Sequence, residues 1–160
     1  MILRALGLGM ALLITPLVWG GEIDSTKKQF SEDEKVKEFA HKVVVSLNHG
    51  SEEEFKELID PDLVRYYENE DEDLMDEEIK RNVEKKVHVG YSVEMRSIEE
   101  FPQVAPQDKR WGIFKFRKMP THMMMLWHEK APNQLETVGV FPVLQFDGHW
   151  YIVVQEYDPK

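Results

Sequence analysis

The chain has 160 residues, with 30 acidic against 20 basic side chains and no cysteine, so its formal net charge is −10. The length is typical of one domain. With 42% hydrophobic and 11% aromatic residues the chain can form a core, which excludes global disorder. The acidic balance disfavours nucleic acid or an anionic membrane surface as the main partner. The lack of cysteine excludes disulfides, zinc–thiolate sites, thiol catalysis and a lipidated cysteine.

The first 20 residues have the pattern of a secretory signal. Arg4 is the single charge before an apolar run from Ala5 to Trp19, which is shorter than the ~20 residues that span a bilayer. Val18 and Gly20 fit the small-residue rule for cleavage. We therefore expect a signal peptide over 1–20, a flexible leader over 21–30 and export to the periplasm or the medium, without stable membrane insertion after cleavage. An uncleaved N-terminal anchor is the alternative.

Two helices are predicted at the start of the mature chain. Ser31–Glu34 and Ser51–Glu54 are capping boxes, in which a serine caps a helical amide and a glutamate reaches back. Gly50 between them is typical of a helix C-terminus. The apolar residues of the first helix recur at three- and four-residue spacing, and these are Val36, Phe39, Ala40, Val43 and Leu47. The second helix turns Phe55, Leu58 and Ile59 inward and ends at Pro61.

The next stretch is predicted to be irregular before a third helix. Leu63–Tyr67 has the pattern of a short extended piece, and Asn69–Asp73 that of an acidic loop. The third helix is expected from about Asp76, with Ile79, Val83 and Val87 inward. Residues 22–78 hold 20 acidic and 7 basic side chains, a sum of −13. A solvated helix surface explains this charge, and a site for a cation or a basic partner is the alternative.

From Gly90 the hydrophobic pattern changes from helical spacing to alternation. Asp147-Gly148 is a tight-hairpin signal, and Pro102–Lys109 is predicted as a loop. Five strands are predicted: Tyr91–Phe101, Trp111–Lys118, Thr121–Glu129, Gln134–Phe146 and His149–Glu156. We therefore predict a single α+β domain over 31–157. Its three N-terminal helices would pack on one face of a curved, mostly antiparallel sheet of about five strands.

The order of these elements resembles the nuclear transport factor 2-like superfamily, which includes ketosteroid isomerases and SnoaL-like proteins. The resemblance is carried by Leu47–Ser51, by Phe55 and Leu58–Asp62, by Ile79, and by the closing run Phe146–Ile152. It covers roughly residues 31–156 and implies a cystatin-like cone, in which the helices and the curved sheet enclose a pocket. It also implies pairing of two copies through the sheet.

The resemblance does not carry over the isomerase residues of that superfamily. The family's oxyanion tyrosine aligns with Val43, its general-base aspartate with Tyr67 and its protonated aspartate with Pro142. A valine, a tyrosine and a proline cannot perform those roles, although a slip of one residue would bring Glu68 to the base position. We therefore expect the fold without that enzyme activity and without a cofactor.

The segment Thr121–Glu129 concentrates methionine and histidine. As a strand it places His122, Met124, Leu126 and His128 on one face, and Met123, Met125 and Trp127 on the other. Thioether and imidazole ligands suit copper(I), but His122 and His128 would be about 20 Å apart and could not share one ion. Packing of flexible methionines in a core is the simpler interpretation, so no metal site is predicted.

Acid–base catalysis would need titratable groups in an apolar pocket. The candidates are Tyr66, Tyr67, Glu68, His122, His128 and Glu129. An enzyme of this fold would be a lyase or isomerase that uses Tyr67 with His122 or His128 as an acid–base pair. No GxSxG, HExxH, P-loop or dinucleotide-binding motif is present, so those chemistries have no support.

The favoured hypothesis is an exported, non-catalytic domain that binds a small apolar ligand or a protein. Val138, Val140, Pro142 and Leu144 would line the pocket from one strand face, with Met124 nearby and Tyr67 at the mouth. A structural subunit of an envelope assembly is a further alternative. The basic cluster comprises Lys109, Arg110, Lys115, Arg117 and Lys118. Within it, Lys115 and Arg117 share a face with Trp111. This face is predicted to bind an anionic ligand or an acidic partner, to form a homodimer interface, or to protect an edge strand.

Overall fold

The computed structural model describes residues 29–83, 90–100 and 114–157. The helices are α1 (Glu34–His49), α2 (Glu52–Glu57) and α3 (Pro61–Val83). The strands are β1 (Ser92–Ser97), β2 (Phe114–Phe116), β3 (His122–Ala131), β4 (Gln134–Phe146), β5 (His149–Ile152) and β6 (Gln155–Tyr157). The predicted signal segment, most of the leader, Val87, the loop Pro102–Lys109 and Trp111 lie outside the described residues.

The first helix begins later than its capping box predicts. Asp33 is the N-cap, and its carboxylate accepts a hydrogen bond from the backbone N–H of Lys35. Ser31 is extended instead, because its N–H donates to the Val93 carbonyl oxygen of β1 at 2.7 Å. Pairing with a strand therefore overrides the local capping signal. The five predicted core residues of α1 are all buried, and Gly50 ends the helix with φ 69°, as predicted.

The second helix is capped by Ser51, whose hydroxyl accepts from the N–H of Glu54, as predicted. Its end was wrongly predicted, because α2 stops at Glu57 and Pro61 is the first residue of α3. Proline suits the first turn of a helix, where its missing N–H would have had no partner in the helix.

The third helix differs more from the sequence-based prediction than any other element does. The backbone is helical from Pro61 to Val83, so neither the extended piece at Leu63–Tyr67 nor the loop at Asn69–Asp73 exists. Leu63, Tyr67, Ile79 and Val83 are all buried, which is the inward stripe that the acidic residues obscured. Glutamate is a good helix former, and an acidic run on the outer face does not end a helix. Lys56 of α2 offsets part of this charge by pairing with Glu68 and, at 3.8 Å, with Asp76.

Four antiparallel strands form the main sheet in the order β1-β3-β4-β5. The predicted strands Thr121–Glu129 and Gln134–Phe146 are confirmed as β3 and β4. The last predicted strand is split into β5 and β6, and β6 pairs with β2 in a separate two-stranded sheet. The predicted hairpin is confirmed, since Asp147 and Gly148 have φ angles of 49° and 76°, both in the left-handed region.

The sheet separates two clusters of buried side chains. The larger cluster holds the buried residues of the helices together with Met124, Leu126, Phe141 and other strand residues. The smaller cluster lies on the opposite sheet face and consists of Met123, Met125, Trp127 and Val140, each at most 4% exposed. The alternation predicted for the methionine-rich strand is therefore confirmed, and packing in two cores accounts for its methionines.

Asp60 joins the helices to the sheet. Its carboxylate is 3% exposed, and one oxygen accepts from the backbone N–H groups of Asp62 and Leu63 at the start of α3. The other oxygen accepts from Lys118 Nζ at 2.7 Å. The backbone N–H of Asp60 donates to the Ile152 carbonyl oxygen of β5 at 2.9 Å. One residue thus caps α3, holds the segment before β3 and continues the pairing of β5.

We expect Asp60→Asn to lower the free energy of unfolding by about 2 kcal/mol, because a buried charge-assisted hydrogen bond is lost. Asp62→Asn is the matched control, since Asp62 contacts the same lysine at 3.3 Å with a side chain that is 64% exposed. Its loss should be much smaller than that of Asp60→Asn, because the Asp62 carboxylate is exposed to solvent. Urea unfolding of both variants measures the difference. Equal losses of unfolding free energy in the two variants would show that the burial of the Asp60 carboxylate does not strengthen its interactions.

Candidate functional site

The residues predicted to line a pocket are buried, but they do not share one face. Val140 belongs to the smaller cluster, whereas Leu144 and the half-buried Val138 pack with the larger one. A register shift separates Val138 from Val140, because Leu126 opposes Gly139 and Trp127 opposes Thr137, so that β4 bulges at Val138. Met124 is fully buried in the larger cluster, and Pro142 is buried opposite Met123.

The residues predicted for acid–base catalysis lie in separate surroundings. Tyr67 is 2% exposed within the core and packs edge-to-face on Tyr66, so it does not lie at a pocket mouth. His122 opposes Ser97, while Nδ1 of His128 lies 2.8 Å from the Gly90 carbonyl oxygen at the other end of β1. Glu129 accepts from the backbone N–H of Asn133 in the turn that follows β3. Within the described residues, no group of three or more potential metal ligands occurs.

The predicted interface residues are partly engaged within the chain. The Arg117 guanidinium carbon lies 3.9 Å from the centre of the Tyr66 ring, which is a cation–π contact onto α3. Lys115 opposes Glu156 in the small sheet. The hydrogen bond to Asp60 raises the pKa of Lys118, so this pair stabilises the fold below pH 10.5 and loses that effect as the pH rises through the raised pKa. Arg117 and Lys118 thus contact α3 or the residues that begin it, while Lys109 and Arg110 lie outside the described residues.

A buried carboxylate that the sequence analysis missed lies on β1. Glu94 is 2% exposed. One of its oxygens accepts from Nε and Nη2 of Arg96 at 2.7 and 2.6 Å, and the other accepts from Trp127 Nε1 at 2.9 Å. The positive charge of Arg96 is therefore matched by a carboxylate in direct contact. The alternation Val93-Glu94-Met95-Arg96, with opposite charges two residues apart, was the signal for this pair.

A cleft of about 360 Å³ lies beside this pair, where the chain crosses the edge of the sheet. The crossing is fixed by a bridge between Phe30 and Glu94 and by the hydrogen bond from Ser31 to Val93. The residues that line this edge cleft are Gln29, Phe30, Ser31, Glu32, Met95, Arg96 and Glu100. It combines an aromatic ring and a thioether with several charged and polar groups, so it offers a small molecule both apolar and charged contacts.

His122 lies next to the edge cleft, because Ser97 opposes it and the turn after β1 leads directly to Glu100. Burial lowers the pKa of His122 below 6.5, and the negative charge of Glu100 partly opposes this shift. The imidazole packs edge-to-face on Trp150 with ring centres 5.2 Å apart. In the part of the chain that is described, the buried Trp150 Nε1 has no hydrogen-bond partner. A neutral histidine therefore stands beside the cleft at pH 7.

No protein-family model matches the chain, and neither curated proteins nor solved structures gave a match. Among the described residues, no helix is both long and apolar enough to cross a membrane. Over the residues that the structure describes, the chain is an α+β domain with three helices and a four-stranded antiparallel main sheet.

We expect His122 to titrate below pH 6.5, since its burial disfavours the charged ring. The stability that comes from this neutral ring is present above pH 6.5 and is lost as the pH falls through the lowered pKa. Glu100→Gln should lower the pKa of His122 further, because a negative charge that favours the protonated ring is removed. NMR of the imidazole Cε1–H across pH 4–8 measures both values. A pKa above 6.5, or a rise in Glu100→Gln, would contradict this assignment.

Proposed function

We propose that the chain is an exported, non-catalytic domain that binds a small molecule in the edge cleft. The cleft volume of about 360 Å³ is the observation that carries this proposal. It falls near the lower end of the roughly 300–1,000 Å³ that is typical of ligand sites. Export is supported by the N-terminal pattern of Arg4 and the apolar run that follows it.

We place the domain in the nuclear transport factor 2-like superfamily, with its cone shape. Three helices before an antiparallel sheet are compatible with this fold, and the bulge at Val138 supports a bent sheet, because bulges bend the strand that contains them. The interior of the cone would be occupied by side chains in this chain, since Tyr67, Met124 and Phe141 are at most 2% exposed. This packing favours the edge over the interior as the ligand site.

A binding role fits the site better than catalysis does. Tyr67 is enclosed by the core, whereas His122 is half-buried at the end of β3, so the two do not form an evident acid–base pair. Glu94 and Arg96 satisfy each other and are thereby suited to holding the cleft wall in place. Pairing of two copies through the basic residues, and a role in an envelope assembly, stay predictions.

A fragment screen by saturation-transfer NMR tests the proposed function. We expect small aromatic fragments to bind the wild-type protein and to bind about tenfold more weakly to Phe30→Ala, because an apolar wall of the cleft is removed. Phe146→Ala is the matched control, since Phe146 is 68% exposed and does not line the cleft. Failure of all fragments to bind, or equal weakening in the two variants, would contradict the proposal.

A further inference from the structure

The charges around the edge cleft do not cancel. Arg96 is matched by Glu94 at 2.6 Å, and Glu32 shares Lys37 with Glu34 at distances of 2.9 and 3.3 Å. In the described part of the chain, the exposed carboxylate of Glu100 has no ion-pair partner. The neighbouring His122 does not compensate it at pH 7, because burial keeps the imidazole neutral there. The charge around the cleft is therefore negative, because Glu32 and Glu34 share one lysine and because Glu100 is the lining carboxylate without an ion-pair partner among the described residues.

The backbone of Glu100 is held in a defined position. Its backbone N–H donates to the carbonyl oxygen and to the hydroxyl of Ser97, at 3.1 and 3.3 Å. The N–H of Ile98 in the same turn donates to the Thr121 carbonyl oxygen at 3.0 Å. The turn that carries the carboxylate is thus tied to both β1 and the residue before β3. A carboxylate carried by an anchored backbone costs less to orient toward a ligand than one on a free loop.

The apolar part of the cleft is also defined. Phe30 is 36% exposed while its backbone is bridged to Glu94, so one part of its ring remains open. Met95 is half-buried against the larger core and supplies a polarisable thioether. An aromatic ring attracts a cation through its quadrupole as well as through apolar contact. The Glu100 carboxylate and the Phe30 ring therefore both favour a positively charged ligand.

We propose that the edge cleft selects small molecules in which a protonated amine is joined to an apolar body. The amine would meet the Glu100 carboxylate, and the apolar body would contact Phe30 and Met95. This inference rests on the proposed function and gives it a ligand class. It also replaces the purely apolar ligand that the sequence predicted for the interior with an amphipathic cation at the edge.

Three compounds that share a phenyl group test this selectivity: 2-phenylethylamine, 2-phenylethanol and 3-phenylpropionate. At pH 7 they carry a positive, a zero and a negative charge. Isothermal titration calorimetry at low ionic strength should show that the amine binds at least about tenfold more tightly than the alcohol, and that the acid binds most weakly. The Glu100→Gln variant should bind the amine no more tightly than it binds the alcohol. Its affinity for the alcohol should equal that of the wild-type protein.

Glu99→Gln is the matched control, because Glu99 is the exposed neighbour of Glu100 and does not line the cleft. It should preserve the preference for the amine. If amine and alcohol bind equally, or if the two glutamine variants behave alike, the proposed ligand class is overturned while a ligand site in the cleft survives. If none of the three compounds binds, both the ligand class and the proposed function are overturned. Circular dichroism of each variant verifies that it is folded.

Discussion

The hydrogen bonds of the buried Asp60 carboxylate connect the two layers of this protein. The carboxylate oxygens accept from the first turn of α3 and from Lys118, while the backbone of the same residue pairs with β5. A buried carboxylate is costly unless hydrogen bonds and a counter-charge satisfy it. Three different parts of the chain must therefore meet at Asp60 for the fold to form. The contacts of Asp60 therefore position α3 over the sheet. They also position the segment that leads into β3.

A second buried carboxylate organises the opposite edge of the molecule. Glu94 binds Arg96 and Trp127, and residues 29–31 cross β1 at the same place. The crossing covers part of an edge strand, which would otherwise present unpaired backbone groups. It also contributes to the cleft, since residues 29–31 line it together with Met95 and Glu100. The proposed ligand site is thus a consequence of how the edge of the sheet is closed.

The strands β3 and β4 and the inward face of α1 could be predicted from the sequence, because alternation along a strand and helical spacing from Val36 to Leu47 are local patterns. The N-terminal two-thirds of α3 could not be predicted in this way. Its outer face is acidic, its start is set by a cap that is stabilised through Lys118, and Pro61 has the same appearance at a helix start as at a helix end. The cleft could not be predicted from the sequence for a related reason. Phe30 and Glu100 are 70 positions apart, and the pairing of residues 30–31 with Val93 and Glu94 brings the two segments together. The bulge that separates Val138 from Val140 likewise has no local sequence signal.

The central claim is that a ligand binds at the edge of the sheet and not between the helices and the sheet. Methionine methyl NMR distinguishes these places, because Met95 lines the edge cleft, Met124 lies in the filled interior, and Met119 is 63% exposed elsewhere. The protein would be labelled with methyl-¹³C methionine and titrated with 2-phenylethylamine. The account predicts that the Met95 methyl resonance shifts with saturation while those of Met124 and Met119 stay in place. A saturable shift of Met124 without one of Met95 would contradict it and would locate the ligand between the helices and the sheet.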